Sequence, residues 1–448
     1  MYKLIKNCII INERKIFKSD LLINNDKIEK IEPSIHESEN FEIIDGKGMY
    51  LIPGMIDSHV HFREPGLTYK ANIESESKAA IAGGVTSFME MPNTIPNTTT
   101  IEELENKYTL ASNTSFANYS FYFGLNASNL EEALKIDNSK VCGITDDGLY
   151  FDNKDSLMCN NNDYLEKLFS KSKSLIALHC ENEKMISLNE EKYKHQFGNF
   201  IHAKYHATIR SREACFEATK NVIQLAKKHN ARLHVLHLST FEETTLLDQT
   251  TEVKSKRISA EACIHHLYFN RNDYDKKGML IKWNPSIKEE KDRSGLLSAL
   301  KSGKIDNIAT DHAPHLLKEK TDDYFESKSG APSIQHAIPA LLELYHRNEI
   351  SLEEIVEKTS HHPAELFRIE QRGYIREGYF ADLVLLDLNE QEHVTKNEVL
   401  YKCGWSPFEG DTLRGKIKMV LVNGTIIYDK GKFTGEKYSK RLIFNKNR

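Results

Sequence analysis

The residues best placed to do chemistry fall in one ten-residue stretch, Asp57-Ser58-His59-Val60-His61-Phe62-Arg63-Glu64-Pro65-Gly66. Side chains two apart on a strand point to the same side, so His59 and His61 aim together. Two imidazoles on one face suit a zinc ion. The Pro-Gly just after ends the strand and leaves the pair at its C-terminal end. With 19 histidines in the chain, a bare His-x-His pair also arises by chance. Three more segments change that balance: Leu178-His179-Cys180-Glu181, Leu233-His234-Val235-Leu236-His237-Leu238-Ser239 and Thr310-Asp311-His312-Ala313-Pro314-His315. Each closes an apolar run with a histidine or an aspartate. Singly, each is more readily a satisfied core residue. Together, in the order His-x-His, His, His, Asp, they describe a metal site.

Those residues need elements that bring them together. The runs Met55–His61, Val85–Met91, Tyr119–Gly124, Val141–Thr145, Leu175–His179, Arg232–Leu238, Arg257–Ala262 and Asn307–Asp311 have strand length and number eight. Longer amphipathic stretches lie among them, including Ile73–Ala82, Ile209–Lys228 and Ile334–Tyr345, with apolar residues at i, i+3 and i+4. Eight β-α units in series predict an α/β fold closed into a (β/α)8 TIM-like barrel, with an open doubly wound sheet as the alternative. Barrel active sites lie at the C-terminal ends of the strands, where these histidines fall. Both chain ends read as short strands instead: Tyr2–Ile11, Ile16–Ile23 and Lys27–Ile31, then Ala381–Leu388, Lys416–Val422 and Thr425–Tyr428 with a turn at Asn423-Gly424. Neither end is long enough for a good sandwich alone. Residues 1–52 and 369–448 are therefore expected to pair into a small β-sandwich domain, flanking a barrel domain of residues 53–368. The polar run Asn160–Asn162 reads as a surface insertion.

Composition narrows the class further. The chain has 448 residues, 40% hydrophobic and 28% charged, enough for a large core. Its formal net charge is −5, with no basic stripe for nucleic acid and no polybasic face for a membrane. No stretch approaches the ~20 apolar residues of a membrane span. The apolar run Cys8–Ile11 is too short for a secretory leader. Seven scattered cysteines fit a reduced compartment, so a cytoplasmic protein is expected.

The constellation resembles the amidohydrolase superfamily. Within it, His59-Val60-His61-Phe62-Arg63-Glu64-Pro65-Gly66, Met91-Pro92-Asn93-Thr94, Trp283-Asn284-Pro285, Asp311-His312-Ala313-Pro314-His315, Ser329-Gly330-Ala331-Pro332 and Lys402-Cys403-Gly404-Trp405-Ser406-Pro407-Phe408 are similar to the dihydroorotases. The resemblance implies that His59 and His61 bind the more buried of two zinc ions, and His179 and His237 the second. It makes Asp311 a ligand of the first and the general base. His234 is the weaker histidine on its strand. Asp57, His312 and the His265-His266 pair are left structural. Many relatives bridge their metals with a carbamylated lysine at the end of the fourth strand. Here that strand reads Val141-Cys142-Gly143-Ile144-Thr145-Asp146-Asp147-Gly148. Another branch of dihydroorotases resembles this Thr-Asp-Asp-Gly, which points to Asp147 as the bridge and to Asp146 as the alternative. A plain Asp-Gly turn would leave one metal.

If Arg63 binds ligand, the ligand carries a carboxylate, because a guanidinium offers a planar fork that matches one. Asn93 and Asn284 can donate amide N–H to the same anion, and His315 can add a fourth contact. The implied reaction is the reversible cyclisation of N-carbamoyl-L-aspartate to dihydroorotate. Hydantoinase, dihydropyrimidinase or allantoinase activity is the alternative among enzymes, and a non-catalytic scaffold the alternative outside them. A homodimer or higher homo-oligomer is compatible with the sequence.

Overall fold

The computed structural model describes residues 2–149 and 161–445, so Asn160 of the polar run lies outside the described residues. Its first feature is a set of parallel strands in chain order. Met55–Val60 pairs with Val85–Glu90, and that strand with Asn118–Phe121. After a break at Tyr122 the same segment continues as Phe123–Gly124, which pairs with Ile144–Thr145. From there the ladder runs through Leu175–Leu178, Arg232–Val235, Ile258–Cys263 and Asn307–Ala309. The last strand returns to the first: Val60 bridges His312 in parallel, and the His61 N–H donates to the His312 carbonyl at 2.8 Å. The result is an α/β fold of parallel strands. Every residue of Met55–Val60 and Val85–Glu90 is buried, as expected where both faces of a parallel sheet are covered.

The helices carry the local signals that start and stop them. Ile73–Ala82 forms as its spacing predicts, opened by a reciprocal cap between Asn72 and Ser75, with Glu74 and Glu76 in its first turn. Residues Ile209–Lys228 divide in two. A short helix, His206–Ile209, precedes Arg212–His229, which is capped by Ser211 and stops at Asn230 in a left-handed conformation. Ile334–Tyr345 likewise opens with a tighter turn, Ile334–His336, before the helix Ala337–His346.

The strands are shorter than the apolar runs suggest. They end at Val60, Leu178, Val235 and Ala309, so His61, His179, His237 and Asp311 stand one or two residues past the ladder. His237 and Asp311 have φ of 36° and 45°, a left-handed backbone that no strand continues through.

The chain ends share one nine-stranded sheet. Tyr50–Pro53 pairs in parallel with Tyr2–Asn12 and antiparallel with Leu383–His393, in the register Leu383 to Pro53 through Leu386 to Tyr50. The Asn423-Gly424 turn joins Thr412–Val422 to Thr425–Asp429, with φ of 47° and 73°. Among the described residues no helix is long and apolar enough to cross a membrane.

Candidate metal centre

Six side chains from five strand ends converge at one place. His59, His61, Asp147, His179, His237 and Asp311 are all buried. The Asp147 carboxylate lies between two pairs of imidazoles. Its Oδ2 is 3.3 Å from Nε2 of both His59 and His61. Its Oδ1 is 3.5 Å from His179 Nδ1 and 3.7 Å from His237 Nε2. Asp311 Oδ1 joins the first pair only, 3.5 Å from His59 and 3.3 Å from His61. The neighbouring Asp146 turns elsewhere and accepts the His179 backbone N–H at 3.2 Å. Two groups here can each hold a cation: His59, His61 and Asp311, and His59, Asp147 and His237.

The nitrogens facing the centre suit a cation. His59 Nε2 is buried and has no hydrogen-bond partner among the described residues. His179 Nδ1 and His237 Nε2 face each other at 2.9 Å. Burial pushes the Asp147 carboxyl up, yet contacts from His179, His237 and His59 outweigh it and hold the group well below the carboxylate range. Burial pushes His59 down, and the Asp311 and Glu261 carboxylates outweigh that to raise it well above its ordinary value. A buried carboxylate ringed by four imidazoles is a ligand set for a borderline metal such as zinc.

Three of the four imidazoles are aimed by their far sides, while His237 Nδ1 is buried with no hydrogen-bond partner among the described residues. His59 donates Nδ1–H to Glu261 Oε1 at 2.7 Å. Glu261, fully buried, also accepts from Ser58 Oγ at 2.8 Å and lies 3.2 Å from His234 Nε2. His61 donates Nδ1–H to Asn93 Oδ1 at 2.8 Å. His179 is turned the other way: its Nε2–H goes to Glu181 Oε2 at 2.8 Å, and Arg210 grips the same carboxylate through Nε and Nη2. Sequence reasoning missed both glutamates. A charged residue inside the apolar strand Ile258–Cys263, and another two residues after His179, were the available signals.

Of the four residues expected to hold a carboxylate, three lie beside the cluster, and His315 stands behind Arg63 outside the cavity lining. Arg63, Asn93 and Asn284 line a cavity of about 20 Å³ with His61, Asp147 and Asp311. Arg63 is buried and takes φ of 68°, strained for a residue with a side chain. Its Nε donates to the Pro314 carbonyl at 3.2 Å, and its Nη2 lies 3.2 Å from His315 Nε2. Asn284 Oδ1 is buried without a partner among the described residues. Asn93 also anchors His61. Gly148, with φ of 75°, lets it approach: a Cβ there would lie 2.4 Å from Asn93 Nδ2. A much larger cavity, about 860 Å³, includes Gln249–Lys254 and Leu300–Gly303, segments that precede the last two parallel strands, away from this cluster.

The other histidines of these motifs and Asp57 make structural contacts. His234 points to Ser259 and Glu261, behind the cluster. His266 meets the Pro285 carbonyl, and His265 stacks on Trp283 at 4.1 Å. Asp57 ties the first strand to the eighth through the Thr310 N–H and hydroxyl, and burial raises its carboxyl to about 7. His312 pairs with Glu76 at 2.8 Å.

Comparison with known proteins gives two sets of likenesses. Residues 50–427 match the model of the Amidohydrolase family. A dihydroorotase of Methanosarcina acetivorans is 31% identical over 91% of this chain and 88% of its own length. One from a Wolbachia of Drosophila simulans is 31% identical over 94% of each. Among solved structures, an L-hydantoinase from Arthrobacter aurescens superposes with a TM-score of 0.91 at 25% identity, covering 99% of this chain and 100% of that one. A dihydropyrimidinase from Brevibacillus agri gives 0.87 at 25%, with 100% of both chains covered.

Proposed function

The chain belongs to the amidohydrolase family and to its dihydroorotase branch, and we propose that the site described above is where it interconverts N-carbamoyl-L-aspartate and dihydroorotate. The observation that carries the site assignment is the position of Asp147, one oxygen toward each pair of histidines, with Arg63 opening on the same cavity. In this reading His59, His61 and Asp311 would hold one zinc ion and His179 and His237 a second, with Asp147 within reach of both. Bound there, divalent metal would make a water acidic near neutral pH and polarise the ring carbonyl. The chain's own residues do the rest. Arg63, Asn93, Asn284 and His315 fix the substrate carboxylate. Asp311 accepts the proton of the attacking water and returns it to the leaving ring nitrogen. In the biosynthetic direction the carbamoyl nitrogen attacks the side-chain carboxyl, and water leaves. The same proposal includes a closed (β/α)8 barrel over residues 53–368 and a small sandwich from residues 1–52 and 369–448. The return bridge from His312 to Val60 and the pairing of Leu383–His393 with Tyr50–Pro53 support it.

The likeness in shape to hydantoinase and dihydropyrimidinase structures keeps a second cyclic amide in view. Their ring substrates need no carboxylate clamp, whereas this cavity presents a buried guanidinium. Zinc-loaded protein should therefore turn over dihydroorotate and leave hydantoin and dihydrouracil essentially untouched. Arg63→Lys should lower kcat/KM for dihydroorotate by roughly 30–150-fold, mostly through KM, because an ammonium cannot reproduce a two-pronged contact. Faster turnover of hydantoin, or an unchanged KM in the variant, would refute the assignment.

A further inference from the structure

His315 stands between two cations. Its Nε2 is 3.2 Å from the Arg63 guanidinium, and its Nδ1 is 3.0 Å from the Lys70 ammonium. Lys70 is itself held by Glu319, whose Oε1 is 3.0 Å from Nζ. The other Glu319 oxygen is 3.7 Å from His315 Nδ1, beyond hydrogen-bond reach. All three basic side chains are buried. A neutral imidazole has one accepting nitrogen and one N–H, while an arginine only donates. The two contacts can therefore not both be ordinary hydrogen bonds from a cation. The shorter one, backed by a carboxylate, goes to the ring's lone pair. That leaves Nε2–H facing the guanidinium, two donors converging with no acceptor between them. Such a pair is completed by an anion lying against both.

We propose that Lys70 is a positioning residue for the carboxylate subsite: by donating to Nδ1 it fixes His315 as the Nε2–H tautomer, so that His315 and Arg63 present convergent donors to the substrate's carboxylate. The proposal rests on the reading of the site given above, and it adds the reason that His315 can donate at all. Charge supports the assignment. Burial and the Arg63 charge hold His315 well below its ordinary pKa, so the ring is neutral and its tautomer matters. The Trp405 indole donates to the His315 carbonyl at 2.8 Å, which pins the backbone while leaving the ring to Lys70.

The test has two readouts. In zinc-loaded wild-type protein, the ¹⁵N signals of His315, assigned by difference from His315→Asn, should show a proton on Nε2 and a bare Nδ1. In Lys70→Met the tautomer should shift toward Nδ1–H. KM for dihydroorotate should then rise about tenfold, the order expected for one charge-assisted hydrogen bond, with kcat within about twofold. Lys70→Arg, which keeps a donor, should recover most of the loss. If Lys70→Met does not fold, Glu319→Gln leaves Lys70 in place, weakens its hold and should move KM the same way. A protonated Nδ1 in wild type, or a Lys70→Met whose loss falls on kcat at unchanged KM, would overturn the proposal. The ¹⁵N result needs no turnover, so absence of dihydroorotase activity would count against the function while leaving the tautomer assignment to stand or fall by itself.

Discussion

The two halves of the metal cluster are built differently. His59 and His61 come from one strand end, separated by a single residue, and both aim Nε2 inward while Nδ1 is held from behind by Glu261 and Asn93. His179 and His237 come from two strand ends, and His179 aims Nδ1 inward with Nε2 held by Glu181. The first half also has Asp311 on its inner face, whereas the other carboxylate of the second half, Glu181, holds the outer nitrogen of His179. In the proposed mechanism proton transfer falls to the half that holds Asp311, and the other half would bind and polarise.

That division can be broken at several points. Asp311→Asn should have the largest effect: turnover falling by about 10²–10⁴-fold, as expected on loss of a general base, with an unchanged circular dichroism spectrum. Activity within tenfold of wild type would make the halves equivalent. Asp147→Ala should take metal content from about two per chain toward one, by mass spectrometry or atomic emission, because it touches both halves. Asp146→Ala, whose carboxylate serves a backbone N–H, should do so much less. Equal losses from the two would mean that the turn matters more than the carboxylate.

The outer carboxylates sharpen the contrast. Glu261→Gln should weaken one metal by roughly 10–100-fold in a chelator competition, the usual cost of losing a partner behind a ligand histidine. Glu181→Gln should weaken the other by a similar or smaller factor. It should also lower thermal stability, since it removes the charge facing buried Arg210. If the two variants affected the same metal, the assignment of one glutamate to each half would be wrong.

The first half is the one legible in sequence. A His-x-His pair on a strand carries its own geometry, because alternation dictates that both rings face one way. The second half depends on which strands are neighbours and on a ring flip at His179, neither of which is local. Of the parallel strands, the positions were readable and the ends were not. The apolar runs continue into residues such as Leu236 and Leu238 whose burial comes from loop packing past the ladder. The Asp146-Asp147 ambiguity had the same origin. Both residues follow the two-residue strand Ile144–Thr145, so strand alternation does not govern them, and the turn with Gly148 decides which carboxylate faces inward. Glu261, Glu181 and Lys70 act through another side chain, and the motifs around them give no sign of that partner.

The pairing of Tyr50–Pro53 with Leu383–His393 has a consequence for how the protein is made. The first strand of that pair leaves the ribosome about 330 residues before its partner, a delay of roughly 15–70 s at ordinary synthesis rates. Through that interval one edge of Tyr50–Pro53 has no neighbour, while every residue of the parallel core is emerging beside it. Its brevity, four residues, and its ending on Pro53 make it a poor template for another chain. The wait is thus survivable, and the chain's last segments close a sheet that its first segments have held open.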